Sequence, residues 1–156
     1  MDIYVIFMIL LVLAMVVGPI AMMRPNPTQR RHERLRRYAR EVGLSVKLLP
    51  PPALATDTAA PVSMPVYSLT LQTLQTRWTL MRAPYIHESH LGDWWQFVGA
   101  KPTAAVQERI KSVLDKLPKG VLGLRSGGQQ VAIFWREAGE EQDIDQLLQC
   151  LRQLGS

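Results

Sequence analysis

The chain has 156 residues, with 18 Lys or Arg against 13 Asp or Glu and a single cysteine, Cys150. One cysteine excludes a disulfide framework within the chain and fits a reducing compartment. The net charge of +5 is unevenly placed: Arg24 to Lys47 holds eight basic and two acidic side chains, net +6, whereas Leu48 to Ser156 holds ten of each, so basicity belongs to one short segment and not to the whole surface.

Ile3 to Met23 contains no charged residue and nothing polar except Tyr4. As a helix it would be roughly 30 Å long, the thickness of a bilayer's hydrocarbon core. Gly18 and Pro19 interrupt it near its end, where a membrane helix tolerates them. The run has no basic stretch ahead of it and closes as Ala21-Met22-Met23-Arg24 rather than as Ala-x-Ala, which predicts a retained anchor over residues 1–23 and not a cleaved secretory signal. Basic flanks stay on the cytoplasmic side. The N-terminus is therefore expected outside and the rest of the chain in the cytoplasm, as a single-pass protein of a bacterial inner membrane.

Arg24, Arg30, Arg31, Arg34, Arg36, Arg37 and Arg40 follow at once, and are read as topogenic residues that also contact lipid headgroups. Clustered arginines could also neutralise nucleic-acid phosphates, but anionic headgroups are the nearest polyanion to a segment leaving the membrane, so no nucleic-acid partner is expected. Asn26 can cap a helix, Pro27 suits its first position and Gly43 its stop. Leu35, Tyr38, Ala39 and Val42 recur at helical spacing and form a stripe expected to pack on the following domain. The passage from the span through Arg24-Pro25-Asn26-Pro27-Thr28-Gln29-Arg30-Arg31 resembles the membrane-exit segment of the small accessory subunit of the bacterial preprotein translocase, where an apolar helix ends in Arg-Pro and a basic run. The resemblance covers about thirty of the 156 residues and does not extend past Gly43 into that family's small β domain. It implies an accessory role in a membrane translocation complex and transfers no functional residue.

Leu44 to Leu48 alternates as a strand, which makes residues 24–49 a basic juxtamembrane helix and first strand. Residues 50–65 open with Pro50-Pro51-Pro52 and read as a flexible linker. Residues 66–156 then alternate strand and helix signals. Val66 to Leu71, Arg77 to Arg82 and Trp94 to Val98 are predicted strands. Thr103 opens a helix carrying Val106, Ile110, Val113, Leu114 and Leu117, closed by Pro118 and Gly120. Val121 to Arg125 and Gln130 to Arg136 flank Ser126-Gly127-Gly128-Gln129, which predicts a hairpin. A last helix from about Glu140 to Leu154 buries Ile144, Leu147, Leu148, Leu151 and Leu154. The predicted architecture is α+β: one N-terminal transmembrane helix, then a small antiparallel sheet packed with two or three helices.

Trp78, Trp94, Trp95 and Trp135 should fill much of a core this small. Neighbours on a strand point opposite ways, so one of Trp94 and Trp95 becomes a partner-binding candidate. His87-Glu88-Ser89-His90 lacks the four-residue histidine spacing and third ligand of a helical zinc site. Cys150 has no histidine at a useful sequence relation. Gly127-Gly128 is not followed by the Lys-Ser/Thr of a phosphate loop. The five carboxylates from Glu137 to Asp145 read as an acidic helix start. No catalytic set, metal site, cofactor or small-molecule substrate is thereby indicated. Two function classes remain: a membrane-anchored module that binds another membrane or membrane-associated protein, and a small enzyme or ligand-binding domain with a pocket near His87, Glu88, His90 and Asp93.

Overall fold

The computed structural model describes residues 2–22, 26–54 and 60–156. Within them it separates into two compact units, Met1–Glu33 and Arg34–Ser156. The first contains helix α1 (Ile3–Met22), which is long and apolar enough to cross a membrane, and whose 18-residue apolar window is not buried at all. Helix α2 (Pro27–Glu41) begins in the first unit and ends in the second.

The second unit is α+β. Strands β1 (Ser45–Leu49), β2 (Met64–Arg82), β3 (Trp95–Phe97) and β4 (Val121–Trp135) form one antiparallel sheet, with helices α3 (Ala104–Leu114) and α4 (Glu141–Gly155) following β3 and β4. β2 is the central strand. Its first half pairs with β1 and its far end with β3, while β4 runs along its other edge.

One core gathers Leu35 and Ala39 of α2, Ile110 and Val113 of α3, Ile144, Leu147 and Leu151 of α4, and the strand residues Tyr67, Trp78, Leu80, Val131, Ile133 and Trp135. Burial of these side chains at roughly 25 cal/mol per Å² supplies most of the driving force for folding. Tyr38 and Val42 of the sequence-predicted stripe pack on the same core. The amide of Glu140 donates to Asp143 Oδ2 at 2.7 Å, closing the first turn of α4.

Two sequence expectations are corrected. Val66–Leu71 and Arg77–Arg82 are not separate strands but parts of the 19-residue β2. The intervening Gln72 to Thr76 contains neither glycine nor proline, so nothing ends the strand; it bulges instead, with register shifts against β4 between Thr70 and Gln75 and between Gln75 and Trp78.

The predicted hairpin is likewise absent, because Ser126-Gly127-Gly128-Gln129 lies inside the continuous β4, with Ser126 opposite Trp78 and Gly128 opposite Gln75. A tight primed turn of type I′ needs positive φ at both central residues. Here only Gly128 has it, at φ 63°. The glycine pair bends the strand without reversing it. The amide of Arg136 donates to the carbonyl of Gly120 at 2.9 Å, so the chain just past the end of β4 returns to the residue just before its start. The Arg125 guanidinium lies 5.7 Å from the centroid of the Phe134 ring, although nine residues of straight strand would hold them roughly 30 Å apart.

The face of the sheet away from the helices carries a second apolar cluster of Met64, Val66, Ala132 and Phe134, against which Leu49 and Leu122 pack. Pro51, Pro52 and Leu54 of the predicted linker border a groove with Met81 and Leu122 on this side.

Candidate functional site

Directly after β4 the chain places a carboxylate in the core. Glu137 adopts a left-handed backbone, φ 55°, and is 1% exposed. Non-glycine residues pay for this conformation. A buried carboxylate is tolerable only when paired and hydrogen-bonded. Both conditions are met: Arg36 donates from Nε to Oε1 at 2.6 Å and from Nη2 to Oε2 at 2.8 Å, and Tyr67 donates from its hydroxyl to Oε1 at 2.7 Å.

The Arg36 pKa is raised, chiefly by its hydrogen bond to Glu137, with burial opposing. That of Tyr67 is pushed far above its ordinary value, first by burial and then by the same carboxylate. At neutral pH Tyr67 is a neutral donor and Arg36 a fixed cation, and both donate to the Glu137 carboxylate. The trio clamps α2 to β2 and to the end of β4. The Tyr67 ring also meets Trp135 edge-on at 5.5 Å.

Around this clamp, Tyr38 donates to Asp145 Oδ1 at 2.9 Å, and Arg34 reaches Glu140 and Glu141 at 3.4 Å on the surface. The sequence reading missed Glu137 because it sits among four other carboxylates of an acidic helix start. The available signal was Tyr67, a phenol on the core-facing side of an alternating strand whose hydroxyl needs a buried partner.

The sequence-predicted basic residues are thus divided in use. Arg36 is committed to Glu137 and Arg34 to α4. Arg37 and Arg40 are exposed on α2, with Arg40 Nε donating to the Arg36 carbonyl at 3.0 Å. Arg30 and Arg31 lie in the first turns of α2, and Arg24 lies outside the described residues.

Trp94 and Trp95 have different surroundings. Trp95 opens β3 opposite Arg82, half-buried and packed on the core. Trp94 precedes it, 40% exposed, with the Arg82 guanidinium 6.0 Å from its ring centroid. Asp93, at φ 66°, turns the chain into this pair, and the Trp94 carbonyl accepts from the Ala83 amide at 2.7 Å. A groove of about 240 Å³ beside the two tryptophans is also bordered by Leu117, Pro118 and Lys119.

His87 and His90 lie on a surface loop with ring centroids 5.7 Å apart. His87 Nδ1 accepts from the Ser89 amide at 3.1 Å, and His90 Nδ1 lies 3.0 Å from the Asp93 carbonyl oxygen. These bonds shape the loop. Glu88 and Asp93 are exposed, and among the described residues no group of three His, Cys, Asp or Glu side chains is arranged to hold a metal ion. Cys150 is buried, its Sγ 3.8 Å from the Lys116 carbonyl, and burial raises its pKa, which disfavours the nucleophilic thiolate.

No family model matches the chain, nor does any curated protein. Among solved structures it is similar to the crystal structure of the mycobacterial trehalose monomycolate transport factor A, TtfA, with 10% identity and a TM-score of 0.47 over 79% of this chain and 91% of that one.

Proposed function

We propose that the chain is a membrane-tethered interaction module, anchored by α1 with its N-terminus outside and its α+β unit in the cytoplasm of a bacterial inner membrane, where it binds another membrane or membrane-associated protein. The observation that carries this reading is the exposed Trp94 beside Arg82, on an edge whose second tryptophan is tied into the core. Tryptophan and arginine are the residues most enriched at binding hot spots. An anchor confines such a surface to the membrane and raises its effective concentration against partners held there. The membrane-exit resemblance favours an accessory role in a translocation complex as the specific form of this reading. A pocket chemistry at His87 and His90 is less well supported, since their Nδ1 atoms are engaged within the loop.

The test pairs two alanine substitutions. Trp95→Ala should destabilise the unit by about 3 kcal/mol, as core aromatic truncations do. Trp94→Ala should leave thermal unfolding nearly unchanged while crosslinked capture of a membrane partner falls by tenfold or more, equivalent to about 1.4 kcal/mol or more. Equal and severe destabilisation by both, or unchanged capture by Trp94→Ala, would remove the tryptophan edge from the mechanism.

A further inference from the structure

The bend in β4 creates a polar groove that the interaction reading does not use. It lies on the sheet face away from the helices, has a volume of about 430 Å³, and is lined by Arg77 and Thr79 of β2 and by Arg125, Ser126, Gly127 and Gln130 of β4. This volume falls in the range of small-molecule sites. No carboxylate lines it among the described residues.

The register converges two cations. Thr79 faces Arg125 and Trp78 faces Ser126, so Arg77 is the diagonal neighbour of Arg125, with roughly 7–8 Å between such positions. Like charges at this spacing disfavour each other, and neither arginine forms an ion pair among the described residues, in contrast to Arg34 and Arg36. Both are braced nonetheless. Arg125 rests over the Phe134 ring at 5.7 Å, and Arg77 crosses Gly127, where an added Cβ would already stand 3.4 Å from Arg77 Cγ. Thr79 and Gln130 add neutral hydrogen-bonding groups to the same walls. Two braced guanidinium forks with no carboxylate between them form a receptor for a tetrahedral oxyanion, which planar forks bind in bidentate fashion.

We propose that this groove binds a phosphate group, carried either by a soluble phosphorylated small molecule or by a phospholipid headgroup. It is a site on a bent strand pair, unlike a phosphate loop, which explains why no Gly-Lys-Ser/Thr sequence accompanies the glycines.

The test uses the full chain with ¹⁵N-labelled arginine in micelles of a phosphate-free maltoside detergent. Inorganic phosphate should shift the Nε resonances of Arg77 and Arg125 saturably while leaving Arg109 and Arg152 in place, and sodium chloride at equal ionic strength should not. Arg77→Gln and Arg125→Gln should each weaken binding roughly tenfold or more, with unfolding temperature retained because both side chains are exposed. Doping the micelles with phosphatidylglycerol, without added phosphate, separates the sources: a stronger response to the lipid assigns a headgroup, and a response to inorganic phosphate alone assigns a soluble ligand. Silence toward both probes, an equal response to chloride, or binding that survives both substitutions would overturn the proposal.

Discussion

Glu137 ties α2 to the sheet beyond its apolar packing, because its buried carboxylate is compensated by a cation that arrives from a distant part of the chain. Removing Arg36 while leaving the carboxylate should therefore cost more than removing both charges. Arg36→Met is expected to destabilise the fold by about 3–5 kcal/mol, and the Arg36→Met, Glu137→Gln double variant to recover a substantial part of that loss. Equilibrium unfolding in urea of these two variants and of Glu137→Gln alone, each against the parent, measures the coupling. Tyr67 adds a pH signature. Its folded pKa lies above its unfolded value of 10.0, so its contribution is complete below about pH 10 and is lost above it, where the unfolded chain releases the phenolic proton and the folded chain does not. Tyr67→Phe should thus be less stable than the parent by about 1.5–3 kcal/mol at pH 8. The gap should narrow as unfolding is repeated toward pH 11; a constant gap would mean that burial does not hold the phenol neutral.

At the level of elements, the two long strands make the conformation of Gly127 and Gly128 testable. In a hairpin turn of type I′ both would need positive φ, whereas in the bent strand only Gly128 does. Gly128→Val should cost about 1–2 kcal/mol for a left-handed β-branched residue. Gly127→Ala should be nearly neutral, its added Cβ meeting Arg77 Cγ at ordinary contact distance. Chemical unfolding that gave equal losses for both would favour a turn. The helices were legible because each signal was local: Thr103 precedes α3, Glu140 and Asp143 frame the start of α4, and the apolar residues of both recur at helical spacing. The α+β class followed from them. Strand continuity was not legible. Two adjacent glycines favour a turn on local grounds, and only pairing with a bulged β2 turns them into a bend. The clamp was hidden for a related reason, since Arg36 and Glu137 stand 101 residues apart and each has a plausible local role. Of the site candidates, Trp94 and Trp95 differ in surroundings for a reason other than strand alternation: β3 begins only at Trp95, and Trp94 stands before it in the turn that follows Gly92 and Asp93.

For the whole molecule, charge counting alone merges the structural duty of the +6 segment with the topogenic one proposed for it. Arg34 and Arg36 hold the α+β unit together through α4 and Glu137, so reversing them would confound insertion with folding. The charges suited to a topology experiment are Arg24, next to the span in sequence, and Arg30, Arg37 and Arg40, which are exposed on α2 and form none of the ion pairs just named. If the basic flank sets orientation, a reporter fused after Ser156 should be cytoplasmic in the parent, and changing these four residues to glutamate should reverse or impair insertion by removing the positive bias beside α1. Alkaline phosphatase, active only outside the cytoplasm, should therefore be silent in the parent fusion and gain activity in a reversed variant. A fluorescent protein that matures in the cytoplasm should show the opposite pattern. Partner capture through Trp94 should fall with the loss of orientation even though the unit keeps its clamp, because the binding edge would then face the wrong compartment. Strong phosphatase activity in the parent would instead place the tryptophan edge and the arginine groove outside, and both would then have to be matched to partners there.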